Sequence, residues 1–152
     1  MTAPRPTVLV LSGPNLNLLG ERQPEIYGKQ TLDEHVAAAR AAGEARGLVV
    51  EDLQSNSEAE LVDAIQGARG RCRAIVVNAG AFTHYAWSIS DALAAFEGIV
   101  VELHVSNPNA REPWRHTSVV APVADGMVAG FGGFGYELAI VAVARMLEDR
   151  SP

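Results

Sequence analysis

An arginine and a tyrosine lie close together in a glycine- and proline-rich stretch, from Ser12 to Gly28. Asn15 can donate and accept hydrogen bonds, Arg22 is permanently cationic, and Tyr27 carries a phenol that a nearby cation would stabilise as the phenolate. The glycines and prolines favour a loop over a helix. Long ordered loops are typically lids or binding loops, so this stretch is a candidate for closing over a ligand; the alternative is an ordinary surface loop.

A carboxylate and an imidazole, Glu102 and His104, lie two residues apart in an apolar run. Alternate residues of a strand point to the same face, so the two side chains should meet. A carboxylate beside an imidazole orients the ring and favours its protonated form, which suits a general acid. The alternative is a buried ion pair without a catalytic role. Leu103 and Val105 should face the core.

Further polar side chains follow the third and fourth apolar runs. They are Asn78, His84, Asp91, Ser106, Arg111 and Arg115. Ligands of open α/β sheets bind beyond the carboxyl ends of the strands. Because each polar cluster falls at such an end, the sequence predicts a catalytic site at one edge of a sheet.

Five apolar runs alternate with helical segments. The predicted strands are 7–11, 48–53, 74–78, 99–105 and 127–131, and the predicted helices follow caps at Thr31 and Ser57, hold Ile89, Leu93 and Phe96, and span 134–150. Continuous apolar strands are typical of parallel sheets covered on both faces. We expect a flavodoxin-like three-layer α/β sandwich of five parallel strands in the order 2-1-3-4-5, as one domain over residues 1–152.

Three local patterns give more detailed expectations. Thr31 with Glu34, and Ser57 with Glu60, are spaced as capping boxes. His35, on the first long helix, is expected to be solvated, and residues 119–123 are expected to be extended.

Composition excludes several classes of protein. The chain of 152 residues has a net charge of −6, which argues against nucleic-acid binding. No apolar run approaches the ~20 residues of a membrane helix, and no secretory signal is visible. The single cysteine, Cys72, fits a reducing cytoplasm and is not expected to be catalytic.

Residues Gly130 to Gly135 match a G-x-G-x-x-G pattern between a strand and a helix. A dinucleotide site would also need a later strand to supply a ribose-binding acid, and the predicted elements include none. Close packing of helix on sheet is the expected reason for these glycines.

Together these motifs resemble the type II 3-dehydroquinate dehydratases over nearly the whole chain. The motifs are 13–20 with Arg22, Pro24 and 26–28; 78–84; 102–107; 110–112 with 115–116; and 130–132 with 135–136. This sequence departs from the usual family pattern at Ser12, Gln23, Ala79, Ser90 and around Pro113. None of these departures removes a catalytic side chain.

The resemblance implies elimination of water from 3-dehydroquinate to give 3-dehydroshikimate, in the shikimate or quinate pathway. The reaction would pass through an enolate, without a cofactor, a metal or a Schiff base. By resemblance, Tyr27 is the base and Arg22 stabilises its phenolate. Asn15 holds a water at the enolate oxygen, and His104, oriented by Glu102, protonates the departing hydroxyl.

The resemblance also implies a set of binding residues and an assembly. Asn78 and the backbone N–H groups of Val105 and Ser106 would meet the substrate carboxylate. The ring hydroxyls would meet Arg115, His84 and Asp91. Arg111 is expected at the outer rim. Relatives form homododecamers built as a tetramer of trimers, in which the residue matching Asp91 reaches a neighbour's site.

Two rival functions come from other classes. A flavodoxin-like module would bind FMN or a regulatory ligand, but its first loop should be rich in hydroxyl residues and here offers only Ser12. An inactive structural subunit is the second rival. Lysine-based dehydration is disfavoured because Lys29 is the only lysine.

Overall fold

The computed structural model describes residues 3–151 and places five strands and five helices in them. The strands are β1 (Thr7–Ser12), β2 (Val49–Gln54), β3 (Ala74–Asn78), β4 (Ile99–His104) and β5 (Gly126–Ala129). The helices are α1 (Pro24–Tyr27), α2 (Leu32–Glu44), α3 (Glu58–Ala68), α4 (Trp87–Ala94) and α5 (Phe134–Asp149). Within the described residues, no helix combines the length and apolar character that crossing a bilayer requires.

The five strands form one parallel sheet in the order β2-β1-β3-β4-β5, which confirms the predicted order. β1 and β3 are neighbours, and Ser12 at the end of one is paired with Asn78 at the end of the other. The carboxyl ends of the central strands therefore lie side by side, where the predicted site requires them.

Two helical layers cover the sheet. Val8 and Val10 pack on one face in the same cluster as core residues of α2 and α5, and Leu9 and Leu11 pack on the other face with those of α3 and α4. Both faces of the central strands are thus buried, which explains why their sequences are apolar throughout instead of alternating.

The two predicted capping boxes differ. Thr31 Oγ1 accepts from the Glu34 N–H at 3.2 Å and the Glu34 carboxylate accepts from the Thr31 N–H at 3.4 Å, so the first box is complete. Ser57 Oγ accepts from the Glu60 N–H at 3.3 Å. The Glu60 carboxylate, however, accepts from the Ser55 hydroxyl at 2.7 Å, so the second box is only half formed.

Three local predictions were wrong. The segment 12–28 is not loop throughout, because it contains a 3₁₀ turn at Leu16–Leu18 and the single helical turn α1, which Pro24 begins. The predicted extended piece contains a 3₁₀ turn, Ala121–Val123, stabilised by hydrogen bonds from backbone N–H groups to Ser118 Oγ. β5 ends at Ala129 because Gly130 has a φ of 91°, outside the extended region.

His35 is buried and not solvated as expected. It lies on the same face of α2 as Leu32, Val36 and Ala39, and that face packs into the core. Its ring is parallel to that of Tyr136, with the ring centres 6.0 Å apart. Burial lowers the pKa of His35.

Close packing accounts for two glycines of the G-x-G-x-x-G segment. A Cβ at Gly135 would lie 2.8 Å from Cδ1 of Leu103 on β4, which is the predicted packing of helix on sheet. A Cβ at Gly133 would lie 1.7 Å from Cε1 of His35, so this glycine instead lets the start of α5 pack against α2.

Candidate active site

One cavity opens beyond the carboxyl ends of β1, β3 and β4. It encloses about 590 Å³ when the open solvent at its mouth is included. All of the predicted site residues except Glu102 and Asp91 line it: Asn15, Arg22, Tyr27, Asn78, His84, His104, Val105, Ser106, Arg111 and Arg115.

The cavity is cationic although the chain is acidic. Arg22, Arg111 and Arg115 line it, and none of its lining residues is an aspartate or glutamate. Because the chain carries a net charge of −6, these three guanidinium groups are a local concentration of positive charge. An anionic small molecule fits such a site.

Tyr27 lies between two guanidinium groups. The Cζ atoms of Arg22 and Arg111 are 5.3 Å and 5.1 Å from its ring centre. Arg111 was expected at the outer rim, but it lies in the cavity wall, where its Nη1 donates to Ser106 Oγ at 3.1 Å. This arrangement places two positive charges where they would stabilise a phenolate.

The segment that carries Arg22 and Tyr27 is largely exposed to solvent. α1 has no buried residue, and Gln23 precedes it in a left-handed conformation with a φ of 42°. The segment closes on itself at its base, because a Cβ at Gly20 would lie 2.8 Å from the carbonyl oxygen of Lys29. Tyr27 itself is half-buried and packs against the core cluster that includes Leu16 and Leu19.

Asn15 begins the first turn of the same loop. Its φ is 69°, and its backbone N–H donates to Asn56 Oδ1 at 3.0 Å. Gln54 Nε2 donates both to Asn56 Oδ1 at 3.2 Å and to the carbonyl of Gly13 at 3.1 Å. The end of β2 therefore anchors the start of the loop, a contact that the sequence analysis did not foresee.

His104 is held by a buried carboxylate. Its Nε2 lies 2.5 Å from Oε2 of Glu102, which is 1% exposed and lies outside the cavity lining. Since a carboxylate accepts, Nε2–H donates and Nδ1 is left to act on a ligand. The Ser118 hydroxyl donates to the same carboxylate oxygen at 2.8 Å while its oxygen accepts from the Val120 and Ala121 N–H groups.

An aromatic side chain links the two remaining cationic or basic groups of the wall. His84 meets Trp114 edge to face, with ring centres 5.3 Å apart, and the guanidinium of Arg115 lies 4.1 Å from the centre of that ring. His84 Nδ1 donates to the Thr117 carbonyl at 2.7 Å. Burial lowers the pKa of His84, so its neutral Nε2 can accept a hydrogen bond at pH 7.

Asp91 does not join the cavity of its own chain. It lies on α4 beside a separate depression that Arg69, Ser88 and Ala95 also line. The resemblance predicts that Asp91 reaches a neighbour's site, and within one chain Asp91 lies at a different surface.

The family model Dehydroquinase class II matches residues 6–144. A 3-dehydroquinate dehydratase of Ruegeria pomeroyi is 55% identical over 93% of this chain and 95% of its own. A catabolic 3-dehydroquinase of Aspergillus clavatus is 48% identical over 95% and 97%. The crystal structure of a type II dehydroquinase from Butyrivibrio crossotus has a TM-score of 0.90 at 40% identity and covers 93% of this chain and 99% of its own.

Proposed function

The chain belongs to the class II dehydroquinase family, and from that premise we propose how its residues eliminate water from 3-dehydroquinate to give 3-dehydroshikimate. It is a hydro-lyase, a 3-dehydroquinate dehydratase. One observation carries the proposed mechanism: Tyr27 between two arginines lines the same cavity as His104 on its buried carboxylate. We propose that the first is the base and the second the acid.

The base step removes a proton next to the substrate ketone. A tyrosine in water is almost entirely protonated at pH 7, so Tyr27 needs help to act as phenolate. One exposed charge at 4 Å contributes only about 1 kcal/mol in water, and several times more when water is excluded. Arg22 and Arg111 beside the ring supply two such charges, and a bound substrate would displace water from them.

The enolate that follows needs a hydrogen-bond donor at its oxygen. Asn15 lines the cavity on a turn that Asn56 fixes, and we assign it to hold a water molecule there. A donor placed in advance stabilises the developing charge at no cost of reorganisation.

The acid step protonates the departing hydroxyl. His104 in its imidazolium form would donate from Nδ1, because Nε2–H is held by Glu102. The Ser118 hydroxyl donates to the same oxygen of Glu102, so the carboxylate is held in place and in turn orients the His104 ring. General acid catalysis of this kind contributes typically 10²–10⁴-fold.

Binding of the substrate is assigned to the remaining polar groups of the wall. The carboxylate would meet Asn78 and the backbone N–H groups of Val105 and Ser106, and the ring hydroxyls would meet Arg115 and His84. These steps are proton transfers and hydrogen bonds, so they require neither a cofactor nor a metal. Lys29, the only lysine of the sequence, is not among the cavity residues.

The proposed assembly is a homododecamer, a tetramer of trimers, in which Asp91 completes a neighbour's site. Its position on α4, away from its own cavity, supports this. Mixing Asp91→Ala subunits with Tyr27→Phe subunits should then restore activity, because some sites combine the intact residue of each. Mixed assemblies no more active than either parent, or a fully active monomer in sedimentation, would contradict the assignment. We place the enzyme in the cytoplasm, free of nucleic acid and membrane, which its acidic charge and single cysteine favour.

Turnover of 3-dehydroquinate, followed by the absorbance of the conjugated enone product, tests the function directly. We expect activity in the purified colourless protein, and no loss of activity when borohydride is added with the substrate, because no imine forms. A yellow protein without turnover would favour the flavin-binding alternative. Inactivation by borohydride only in the presence of substrate would contradict the enolate route.

A further inference from the structure

A buried tyrosine of the last helix reaches the carboxyl ends of two central strands. Tyr136, in the first turn of α5, is 1% exposed, and its hydroxyl lies 2.9 Å from Ser12 Oγ at the end of β1 and 3.2 Å from Asn78 Nδ2 at the end of β3. Of these three residues only Asn78 lines the cavity. Neither Tyr136 nor Ser12 has a part in the mechanism above.

The hydrogen-bond directions in this cluster follow from a single backbone donor. The Gly80 N–H can only donate, and it meets Asn78 Oδ1 at 3.3 Å. The other end of the amide is therefore Nδ2, which donates to the hydroxyl oxygen of Tyr136. The phenolic proton is then free to go to Ser12 Oγ.

Burial keeps the phenol of Tyr136 protonated and its hydroxyl in one position. It raises the pKa of Tyr136 to about 12, with the hydrogen bonds that Tyr136 makes with Ser12 and Asn78 opposing the rise, so the phenol stays protonated at neutral pH. The parallel ring of His35 packs on the side of the tyrosine ring, and Gly133 leaves that space open. The hydroxyl is thus fixed in position by the core.

We propose that Tyr136 is a positioning residue that fixes the side-chain amide of Asn78, so that the second Nδ2 hydrogen is presented to the anionic substrate in the cavity. The inference rests on the proposed role of Asn78 in binding the substrate carboxylate. Without Tyr136, only the 3.3 Å hydrogen bond from the Gly80 N–H would orient the amide, and rotation about its last bond would turn its oxygen towards the substrate carboxylate, which would repel it. Tyr136 therefore acts on substrate affinity through Asn78, without touching substrate.

The test is a double-mutant cycle on KM and kcat for 3-dehydroquinate. Tyr136→Phe keeps the ring and removes the hydroxyl; we expect KM to rise about tenfold and kcat to change less than about threefold. Asn78→Ala should raise KM more, about 30-fold. In the Asn78→Ala background, Tyr136→Phe should add less than about twofold, because residues that act as a unit are not additive.

Thr83→Val is the matched control. Thr83 is 1% exposed and its hydroxyl has no hydrogen-bond partner among residues 3–151. Like Tyr136→Phe, the change deletes one buried hydroxyl, and KM should stay within about twofold of wild type. Ser12→Ala leaves the bond between Tyr136 and Asn78 in place and should raise KM only about threefold.

Three outcomes with the Tyr136→Phe change overturn the inference. The first is an unchanged KM in Tyr136→Phe, and the second is the same tenfold rise in the Asn78→Ala background, which would mark a general structural effect. The third is loss of kcat alone. Failure of the proposed function has a different signature, because wild-type protein would then not turn over 3-dehydroquinate. An unchanged KM in Asn78→Ala with normal wild-type turnover removes only the binding role of Asn78 and, with it, this inference.

Discussion

The two ends of the cavity are built in different ways. At one end, Glu102 and His104 belong to β4, and the carboxylate is buried and bonded by both His104 and Ser118. At the other end, Tyr27 and Arg22 belong to a loop whose helical turn α1 has no buried residue. The proposed acid thus lies on a buried strand, whereas the proposed base lies on a largely exposed helical turn, with Tyr27 half-buried against the core. We expect mutations to separate activity from stability at the loop end and to couple them at the strand end.

The largest expected effect is at the strand end. His104→Ala should reduce kcat about 10⁴-fold, because a departing hydroxide needs a proton and general acids contribute up to this amount. Circular dichroism should show an intact fold. Turnover within tenfold of wild type would remove His104 from the mechanism.

The next effect tests the loop end. Arg22→Ala should reduce kcat about 10³-fold with an unchanged melting temperature, and Arg22→Lys should rescue poorly, since an ammonium lacks the planar fork of a guanidinium. Arg46→Ala is the matched control, because the side chain of that exposed arginine, just beyond α2, bonds only to the Ala42 carbonyl among residues 3–151. A fall in melting temperature with Arg22→Ala would show that activity and stability are coupled at the loop end too, which contradicts the proposed difference between the two ends.

A smaller effect on activity is expected from Glu102→Gln. It should lower kcat about 10- to 100-fold, because an amide orients the imidazole less well and does not carry the charge that stabilises imidazolium. It should also lower the stability by about 1–3 kcal/mol, since a buried group loses a charged hydrogen-bond partner. Kinetics and chemical unfolding of the same samples measure both. If stability does not change, activity and stability are separable at the strand end as well.

The smallest effect concerns the layer of α2 and α5 beneath the site. Burial lowers the pKa of His35 in the folded protein, whereas the unfolded chain keeps about 6.5. Stability should be complete above that pH and should decline as the pH falls below it, because the unfolded chain binds the proton first.

Melting temperatures at pH 7.5 and pH 5.0, for wild type and His35→Leu, measure this effect. The variant should lose less stability between the two pH values. His84, whose pKa is also lowered by burial, contributes equally to both proteins and cancels. An identical pH dependence in the two proteins would show that protonation of His35 does not contribute to the loss of stability at low pH.

The strands could be predicted because each is marked by a continuous run of apolar residues in the sequence. β3 was predicted to the residue, and the sheet order followed from parallel crossovers and the continuous apolar runs. The convergence of the polar clusters also followed, because parallel strands bring their carboxyl ends to one edge. These parts depend on periodicity and topology, which a sequence displays directly.

Contacts between distant segments could not be predicted in this way. Arg111 reaches Tyr27 only because the loop folds back over the end of β4. Ser118 belonged to no motif, and Tyr136 belonged to one that assigned it no role; each acts on a partner 16 or 58 residues away. His35 could have been recognised as a core residue, since it shares the spacing of Leu32, Val36 and Ala39 on its helix.

The close approach of Gly20 and Lys29, at the two ends of the segment that carries Arg22 and Tyr27, has a consequence for how such enzymes evolve. The backbone at Gly20 passes against the carbonyl of Lys29, so the two ends of the segment between them lie close together. Insertions, deletions or a transplanted segment in 21–28 would leave every strand in place. Evolution can therefore change Tyr27 and Arg22 together by altering this one segment. His104 lies on β4, so it cannot be replaced in this way without changing the sheet.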